Sequence, residues 1–435
     1  ADRSPLIPRD AFYGGRTNAI QLYYKGPIQY DDFVSMYPSV NFYAEYPVGH
    51  PKHIINPPVS SYVPGTYPIK EGALNISGTT KGSYFGLIKC RLLPPRDLYH
   101  PVLPVRVNDK LMFPLCVECA STSQKVCTHS DEERAIIGTW TTMEVDVAIL
   151  RGYKLLHIYE IHHFEQTSRD LFKSYIRQFF QLKQEASGCP KHSTKEEYIK
   201  ANKDLYGIDM KADDIKYNEG RRSVAKLMLN SFWGRFGMRE DLRKTKILKT
   251  GEELNRFLTD NHISERDIIA INNNYASVTF EEASPQDNPL TNIYIAVFTT
   301  IWARLKLYAA LEHLGSDALY GDTDSIIYKG DKPRFKHSPV LGELTSDVGY
   351  KPIVEYTGLG PKNYSIEFGD GTNKTKVKGI TLDKITAGTI NQRLMKEMLD
   401  SSDPEEVKVS QNRFAKKDRG ITTIDINKRY RLAYD

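Results

Sequence analysis

The stretch "LYGDTDSIIYKG", residues 319–330, places two aspartates one residue apart between two apolar runs. A small polar bend between runs of β-branched and aromatic residues predicts a β-hairpin with Asp322 and Asp324 at its tip. Two carboxylates held that close repel each other. Aspartates are common in solvated turns, which is the plain alternative. A divalent cation removes the repulsion and gives the pair a purpose. Magnesium takes oxygen ligands and shares them with phosphates and water. Two such ions, about 3.5–4 Å apart, stabilise both the attacking and the leaving oxygen of an in-line displacement. That chemistry needs a third carboxylate from elsewhere in the chain.

"YDDFVSMYPS", residues 30–39, offers one. Residues 28–34 read as a strand, and "SMYPSVNFYAEYP" turns into a helix that ends near Pro47. Asp32 lies at the end of the strand and faces the hairpin pair if the two elements are neighbours in one sheet. A third element is "RRSVAKLMLNSFWGRFG", 221–237, a helical pattern that fails at its glycines. Arg222, Lys226 and Asn230 are spaced i, i+4, i+8 and line one face, with Trp233 and Gly234 at the end. Such a face suits a triphosphate at one end and a base pair at the other. A solvated face with a core tryptophan fits the same spacing. Residues 169–188 give a second helix, so 169–237 reads as a helical hairpin with a polar, charged connection. Residues 294–315 read as a third helix ending at Gly315, 51–69 as irregular, and 83–107 as strands with proline breaks.

"DFVSMYPS", "KLMLNSFWGRFG" and "YGDTDS" together resemble the three polymerase motifs of family B DNA polymerases, in the right order. "FYGG" (12–15) resembles the YxGG element, "TIWAR" (300–304) the Tx2GR/AR element, "KNY" (362–364) the KxY element, and "KVKGIT" (376–381) the start of a thumb. The flavour is similar to the protein-primed branch, and within it to Polinton/Maverick transposon, adintovirus or linear-plasmid enzymes. The resemblance implies an α+β fold: a right-hand polymerase with an antiparallel-sheet palm, helical-hairpin fingers and a small thumb. It implies a linker and first palm segment at 1–44 and an insertion resembling terminal-protein region 1 at 45–165. Fingers follow at 166–237, a second insertion at 238–292, palm at 293–375 and thumb at 376–435.

Residue roles follow from the same resemblance. Asp32 and Asp324 are the expected ligands of two Mg2+ ions, for which Mn2+ can substitute, and Asp322 supports them. Asp31 is a neighbour rather than a ligand. The Phe33 carbonyl faces metal, Ser35 bonds the triphosphate, and Tyr37 lies under the sugar and excludes ribonucleotides. Lys226 contacts the triphosphate and gives a proton to the leaving pyrophosphate. Arg222 adds charge, as does Lys216, Asn230 supports the nascent pair, and Gly234 lets it approach. Phe12, Gly14, Gly15, Trp233, Thr300, Arg304, Lys362, Tyr364 and Lys378 are the expected DNA contacts. Phe12 and Trp233 depart from the family's tyrosines, which removes hydroxyl contacts and keeps the stacking faces. The implied activity is DNA-directed DNA polymerase (a nucleotidyltransferase), with primer-template DNA, dNTPs and a terminal protein as partners and a monomer as the expected state. The alternatives are an RNA-synthesising or reverse-transcribing palm, against which Tyr37 argues, and a decayed module that only binds DNA or a terminal protein. The intact Asp32, Asp322, Asp324 and Lys226 argue against decay.

"CVECASTSQKVCTH" gives Cys116, Cys119, Cys127 and His129, a set suited to a structural Zn2+. Reduced cysteines in a surface hairpin are the alternative. The remaining cysteines, Cys90 and Cys189, read as structural, and the pair His162 and His163 as surface and core rather than ligands.

Composition bounds these readings. The chain has 435 residues, 40% of them hydrophobic, which suits roughly two to four subdomains. Five cysteines do not look like a secreted disulfide framework. No apolar run is expected to span a bilayer, no signal peptide is read at the start, and no membrane partner is expected. The chain begins almost at the YxGG-like element, so a fragment without a 3′–5′ exonuclease, and hence without proofreading, is expected. Net charge is only +5, but Lys408, Arg413, Lys416, Lys417, Arg419, Lys428, Arg429 and Arg431 cluster against Asp418 and Asp425. Such a run can track a phosphate backbone or simply be a solvated surface.

Overall fold

The structure is a computed structural model that describes residues 4–191, 193–239, 243–260, 263–272, 275–282, 291–349, 351–401, 406–417 and 420–431. Asp418 and Arg419 of the basic run and 283–290 of the second insertion lie outside the described residues.

Strands that place the carboxylates belong to one eight-stranded sheet. Its order is Thr17–Ala19, Ala318–Asp322, Ser325–Lys329, Tyr23–Phe33, Ile353–Gly360, Asn363–Phe368 and Asn373–Val377, with Leu344–Ser346 beside the far end of Tyr23–Phe33. Every pairing in it is antiparallel. Both hairpin strands are buried over four of their five residues. That is why they read as continuous apolar runs rather than alternating ones. One face meets the helix Ile293–Leu314, whose Leu307 and Leu311 lie within 3.9 Å of where a Cβ on Gly321 would sit. The opposite face carries a core of Ile28, Tyr30, Tyr320, Ile327, Tyr356, Tyr364 and Ile366.

The helix Ile293–Leu314 carries apolar residues around its circumference, as a mostly buried helix does. By length and composition the segment Ile293–Asp317 is apolar enough to cross a membrane, which corrects the sequence expectation. The physical reason is its place in the core: 83% of the 18-residue window is buried.

The fingers region departs from a two-helix hairpin. Between Lys173–Ser187 and Glu219–Ser231 the connection folds a third helix, Lys195–Tyr206. Thr194 and Glu197 form a capping box at its start, and Gly207, at φ 67°, closes its end. Only Asn202 and Tyr206 of this helix are buried, too thin a stripe for periodicity to reveal. The range 45–165, expected as a first insertion, holds a four-stranded sheet, in the order Ile136–Thr141, Gly86–Leu93, Lys154–His163 and Lys52–Ile55. Its last strand corrects the irregular reading of 51–69. The C-terminal part pairs Val407–Lys417 with Gly420–Tyr430. This hairpin carries much of the basic run, and Val409 and Tyr430 pack on Ile390, Met395 and Met398.

A smaller compact unit spans Ser231–Ala296 and contains the range expected for the second insertion. Within it, Lys244–Leu248 and Ile263–Asn272 flank Tyr275–Glu282, and Leu248, Phe257 and Val278 form its core.

Candidate active site

The register brings the three aspartates to one end of the large sheet. Ser325 lies opposite Asp32, and Thr17 lies opposite Asp322. The Phe33 N–H donates to the Asp324 carbonyl at 2.7 Å, tying the Asp32 strand to the turn between the hairpin strands. Thr323, at that turn, has φ 58°, a strained conformation for a β-branched residue. It is held by its N–H bond to the Arg16 carbonyl at 2.8 Å. Gly15 fits because a Cβ there would lie 2.8 Å from Thr323 Oγ1. The FYGG segment therefore packs directly on the carboxylate turn, and Gly14 next to it is exposed.

The two hairpin carboxylates differ. Asp322 Oδ1 accepts from Thr17 Oγ1 at 2.9 Å, Thr323 Oγ1 at 3.2 Å and Lys362 Nζ at 2.6 Å. Asp324 is under-compensated. Burial, and then the Asp322 charge, raise its pKa against its own backbone N–H, Lys362 and Lys376. Asp32 is pushed up to about 7 by burial, then by Asp324 and Asp347, with Lys376 and Lys226 opposing. Below these groups lies a tyrosine floor. Tyr30 and Tyr364 share a 2.7 Å hydroxyl contact, and the Tyr320 and Tyr364 rings are 4.6 Å apart. Tyr320 accepts the Lys362 backbone N–H at 2.7 Å, and Lys376 Nζ reaches Tyr30 at 3.3 Å. Tyr364 is thus a core residue, 1% exposed, which corrects its expected contact with the primer strand.

The Asp32 shift fixes a pH dependence. A carboxyl whose folded pKa exceeds its unfolded value binds more protons when folded, so stability falls as pH rises from about 4 to about 7. Without divalent cation, the melting temperature should fall across that window. Asp32→Asn should flatten the fall and stabilise the protein at pH 8 by up to about 4 kcal/mol. An unchanged profile in thermal melts of that variant would refute the assignment.

The positive side of the site comes from the fingers. Lys226, Arg222 and Asn230 are exposed on Glu219–Ser231. Arg222 Nε donates to Ser187 Oγ at 3.3 Å. Lys216 is also exposed, and its backbone N–H caps Glu185. Lys183, on the preceding helix, was not singled out by the sequence. Its Nζ donates to Ser35 Oγ at 2.8 Å. Burial, then Arg222 and Lys226, lower its pKa to about 8 while Asp32 opposes. Ser35 is the left-handed residue before the helix Met36–Tyr43, with φ 51°. Tyr37, in the first turn of that helix, is half-buried, and burial pushes its hydroxyl up to about 12. Lys376 was likewise missed. Its only sequence signal was the basic "KVK" run, in which Lys378 is exposed.

Two further expected DNA contacts are corrected. Arg304 is 3% exposed and bonds Glu144 Oε1 at 2.8 and 3.0 Å. Its Nη1 donates to the Tyr13 and Gly14 carbonyls at 2.8 and 2.9 Å. A buried guanidinium with these partners shapes the FYGG loop and cannot reach a duplex. Thr300 is fully buried and donates to the Val297 carbonyl within its helix. Phe12 is half-buried, and its carbonyl accepts from Arg106. Trp233 and Gly234 lie in the helical turn Trp233–Gly237 of the smaller unit.

Cys116, Cys119 and Cys127 converge on one nitrogen. Their sulfurs lie 3.5, 3.3 and 3.8 Å from His129 Nδ1. One nitrogen cannot hydrogen-bond three thiols at once, whereas a tetrahedral zinc site spaces sulfur and nitrogen about 3.5 Å apart. The hydrogen bond from His129 lowers the Cys127 thiol to about 6, while burial and the neighbouring thiols push Cys119 up to about 12.

Similarity to known proteins agrees with this geometry. The sequence model of the family described as DNA polymerase type B, organellar and viral, matches residues 8–207 and 190–314, more than half of the chain. The chain belongs to this family. A DNA polymerase of Kluyveromyces lactis is 23% identical over 322 residues, covering 73% of this chain and 25% of the relative. The chain thus spans about a quarter of that relative's length. Among solved structures, phi29 DNA polymerase with primer-template DNA and incoming nucleotide superposes with a TM-score of 0.57 at 15% identity. That match covers 98% of this chain and 62% of the phi29 chain. The phi29 enzyme with single-stranded DNA gives 0.59 at 16% identity, covering 98% and 61%. The fold is that of a right-hand polymerase, α+β with an antiparallel palm sheet.

Proposed function

We propose that this chain is a template-directed DNA polymerase that adds dNMPs to a primer 3′ end and starts from a protein primer. The observation that carries the reading is the convergence of Asp32, Asp322 and Asp324 at one sheet end, where burial and mutual repulsion at Asp32 and Asp324 outweigh the nearby lysines. An all-oxygen donor set with raised proton affinity suits Mg2+, with Mn2+ able to substitute. Two ions on Asp32 and Asp324 would neutralise charge on the attacking and leaving oxygens.

The chain's own residues do the rest. Lys226, Lys183 and Arg222 bind the triphosphate and hold positive charge where negative charge develops. Lys226 also supplies a proton to the pyrophosphate oxygen. Ser35 orients the phosphates, and Tyr37 closes the space a 2′-hydroxyl needs. Asn230 and Gly234 accommodate the nascent pair, Lys362 and Lys378 hold the primer strand, and Trp233 stacks. Gly14, Gly15 and Phe12 meet the template. Membership of an organellar and viral family and likeness to the phi29 fold support protein priming. The terminal protein is then the expected partner of the first insertion.

The test is primer extension with Mg2+ and separate dNTP and rNTP pools. Extension from dNTPs only is expected. Tight primer-template binding without extension would instead favour a binding module, and extension from rNTPs would favour an RNA-synthesising palm.

The Cys116–Cys119–Cys127–His129 set holds a structural zinc in this reading. Metal analysis should return at least one zinc per chain, and Cys119→Ser should lose one and lower the melting temperature by several degrees. Full zinc content in Cys119→Ser would remove the assignment.

A further inference from the structure

We infer that His53, Glu160 and His162 form a second metal site in the first insertion, one that takes a borderline divalent ion of the zinc class. The strands Lys52–Ile55 and Lys154–His163 run antiparallel with His162 directly opposite His53. Glu160 is two residues before His162, so strand period places both on one face. The imidazole rings are 4.0 Å apart. One donor atom from each of the three residues lies within 4.8 Å of the other two. Glu160 Oε1 is 3.0 Å from His162 Nε2 and 3.3 Å from His53 Nδ1. Ligands on a tetrahedral ion with ~2.0 Å bonds are themselves about 3.3 Å apart.

The surroundings prepare this set for an ion. Glu160 Oε2 accepts the Leu6 backbone N–H at 2.7 Å. That bond fixes the carboxylate and leaves Oε1 turned between the two rings, as outer-shell partners of metal ligands do. Lys89, opposite Glu160 on the adjacent strand, sends its ammonium to Ser4 O and Oγ at 2.9 and 2.7 Å. His53 is 56% exposed, so an ion reaches the site from solvent and keeps an open position for water. His163, the other half of the pair, faces away from this chemistry and accepts the Phe85 N–H.

An ion here ties the last strand of the insertion sheet to residues 4–6, which lead into the FYGG segment. The proposal differs from the sequence reading, which takes His162 and His163 as surface and core rather than ligands. His53 lies 109 positions away, and only strand pairing brings it back.

The experiment is a Co2+ titration of the full chain in a Cys119→Ser background, which removes the thiolate site. With Mg2+ present to fill the Asp32 and Asp324 site, one Co2+ per chain should bind, with visible bands of nitrogen and oxygen ligation and no thiolate charge-transfer band. Zn2+ should displace it and raise the melting temperature. Adding His53→Ala, an exposed change that leaves the buried pair in place, should weaken binding at least about 10-fold and cancel the Zn2+ shift. Co2+ binding that survives His53→Ala unchanged overturns the proposal. So does the absence of binding in a folded Cys119→Ser chain, which leaves three hydrogen-bonded side chains and no metal site.

Discussion

Replacing Asp324 by asparagine is expected to lower primer extension by on the order of 10³-fold while leaving primer-template binding unchanged. Asp324 is the carboxylate whose charge the protein does not balance. Its burial and the Asp322 charge both disfavour ionisation. An asparagine removes the repulsion, so without divalent cation the variant should melt at a higher temperature than the parent. In Mg2+ the order should narrow or reverse, because the parent gains the ion and the variant does not. Asp322→Asn should lose less activity. One of its oxygens already receives Thr17, Thr323 and Lys362, so it acts first as the anchor that fixes the turn. Single-nucleotide incorporation with matched DNA-binding measurements checks both. Equal activity of Asp324→Asn and parent would remove the metal assignment.

The second large effect falls on Lys183. Lys183→Met is expected to raise the KM for dNTP about 10-fold or more and to lower kcat, with DNA affinity held. The ammonium is buried beside Arg222 and Lys226, and its pKa is lowered to about 8. A bound triphosphate restores charge balance and pulls it back up. In the parent, KM for dNTP should therefore climb as pH passes about 8, where the free enzyme loses this charge. Lys183→Arg should flatten the climb, since a guanidinium stays protonated. A Lys183 that serves only to hold Ser35 would leave the KM profile unmoved.

These two residues show what the sequence could and could not display. Asp32, Asp322 and Asp324 stood out as candidates because Asp32 falls in a predicted strand, Asp322 and Asp324 fall at the predicted bend, and all three lie in motifs that resemble the family. The sequence left open whether the Asp32 strand neighbours the hairpin, and the pairing of Ser325 with Asp32 comes from the structure. Lys183 was not legible, because on an amphipathic helix a lysine between buried positions looks like any solvated residue. Its meaning comes from Ser35, 148 positions away. Arg304 and Tyr364 misled for the converse reason. A motif says which residue type recurs, not whether the side chain faces nucleic acid or the core. Arg304 in a helix buried on all sides needed a buried acid, and Glu144 lies in the first insertion. The third fingers helix was hidden because its capping signals, not its apolar stripe, define it.

That buried pair limits how the protein can be taken apart. Glu144 belongs to the helix Thr142–Leu150, inside the range 45–165 expected as an insertion, and Arg304 belongs to the helix Ile293–Leu314. Excising residues 45–165 would strand a guanidinium in the core, at a cost of about 3–5 kcal/mol. It would also release the Tyr13 and Gly14 carbonyls that Arg304 holds. Residues 45–165 are therefore not a detachable module, and a shortened chain has to carry an apolar substitute for Arg304 or keep residues 142–150.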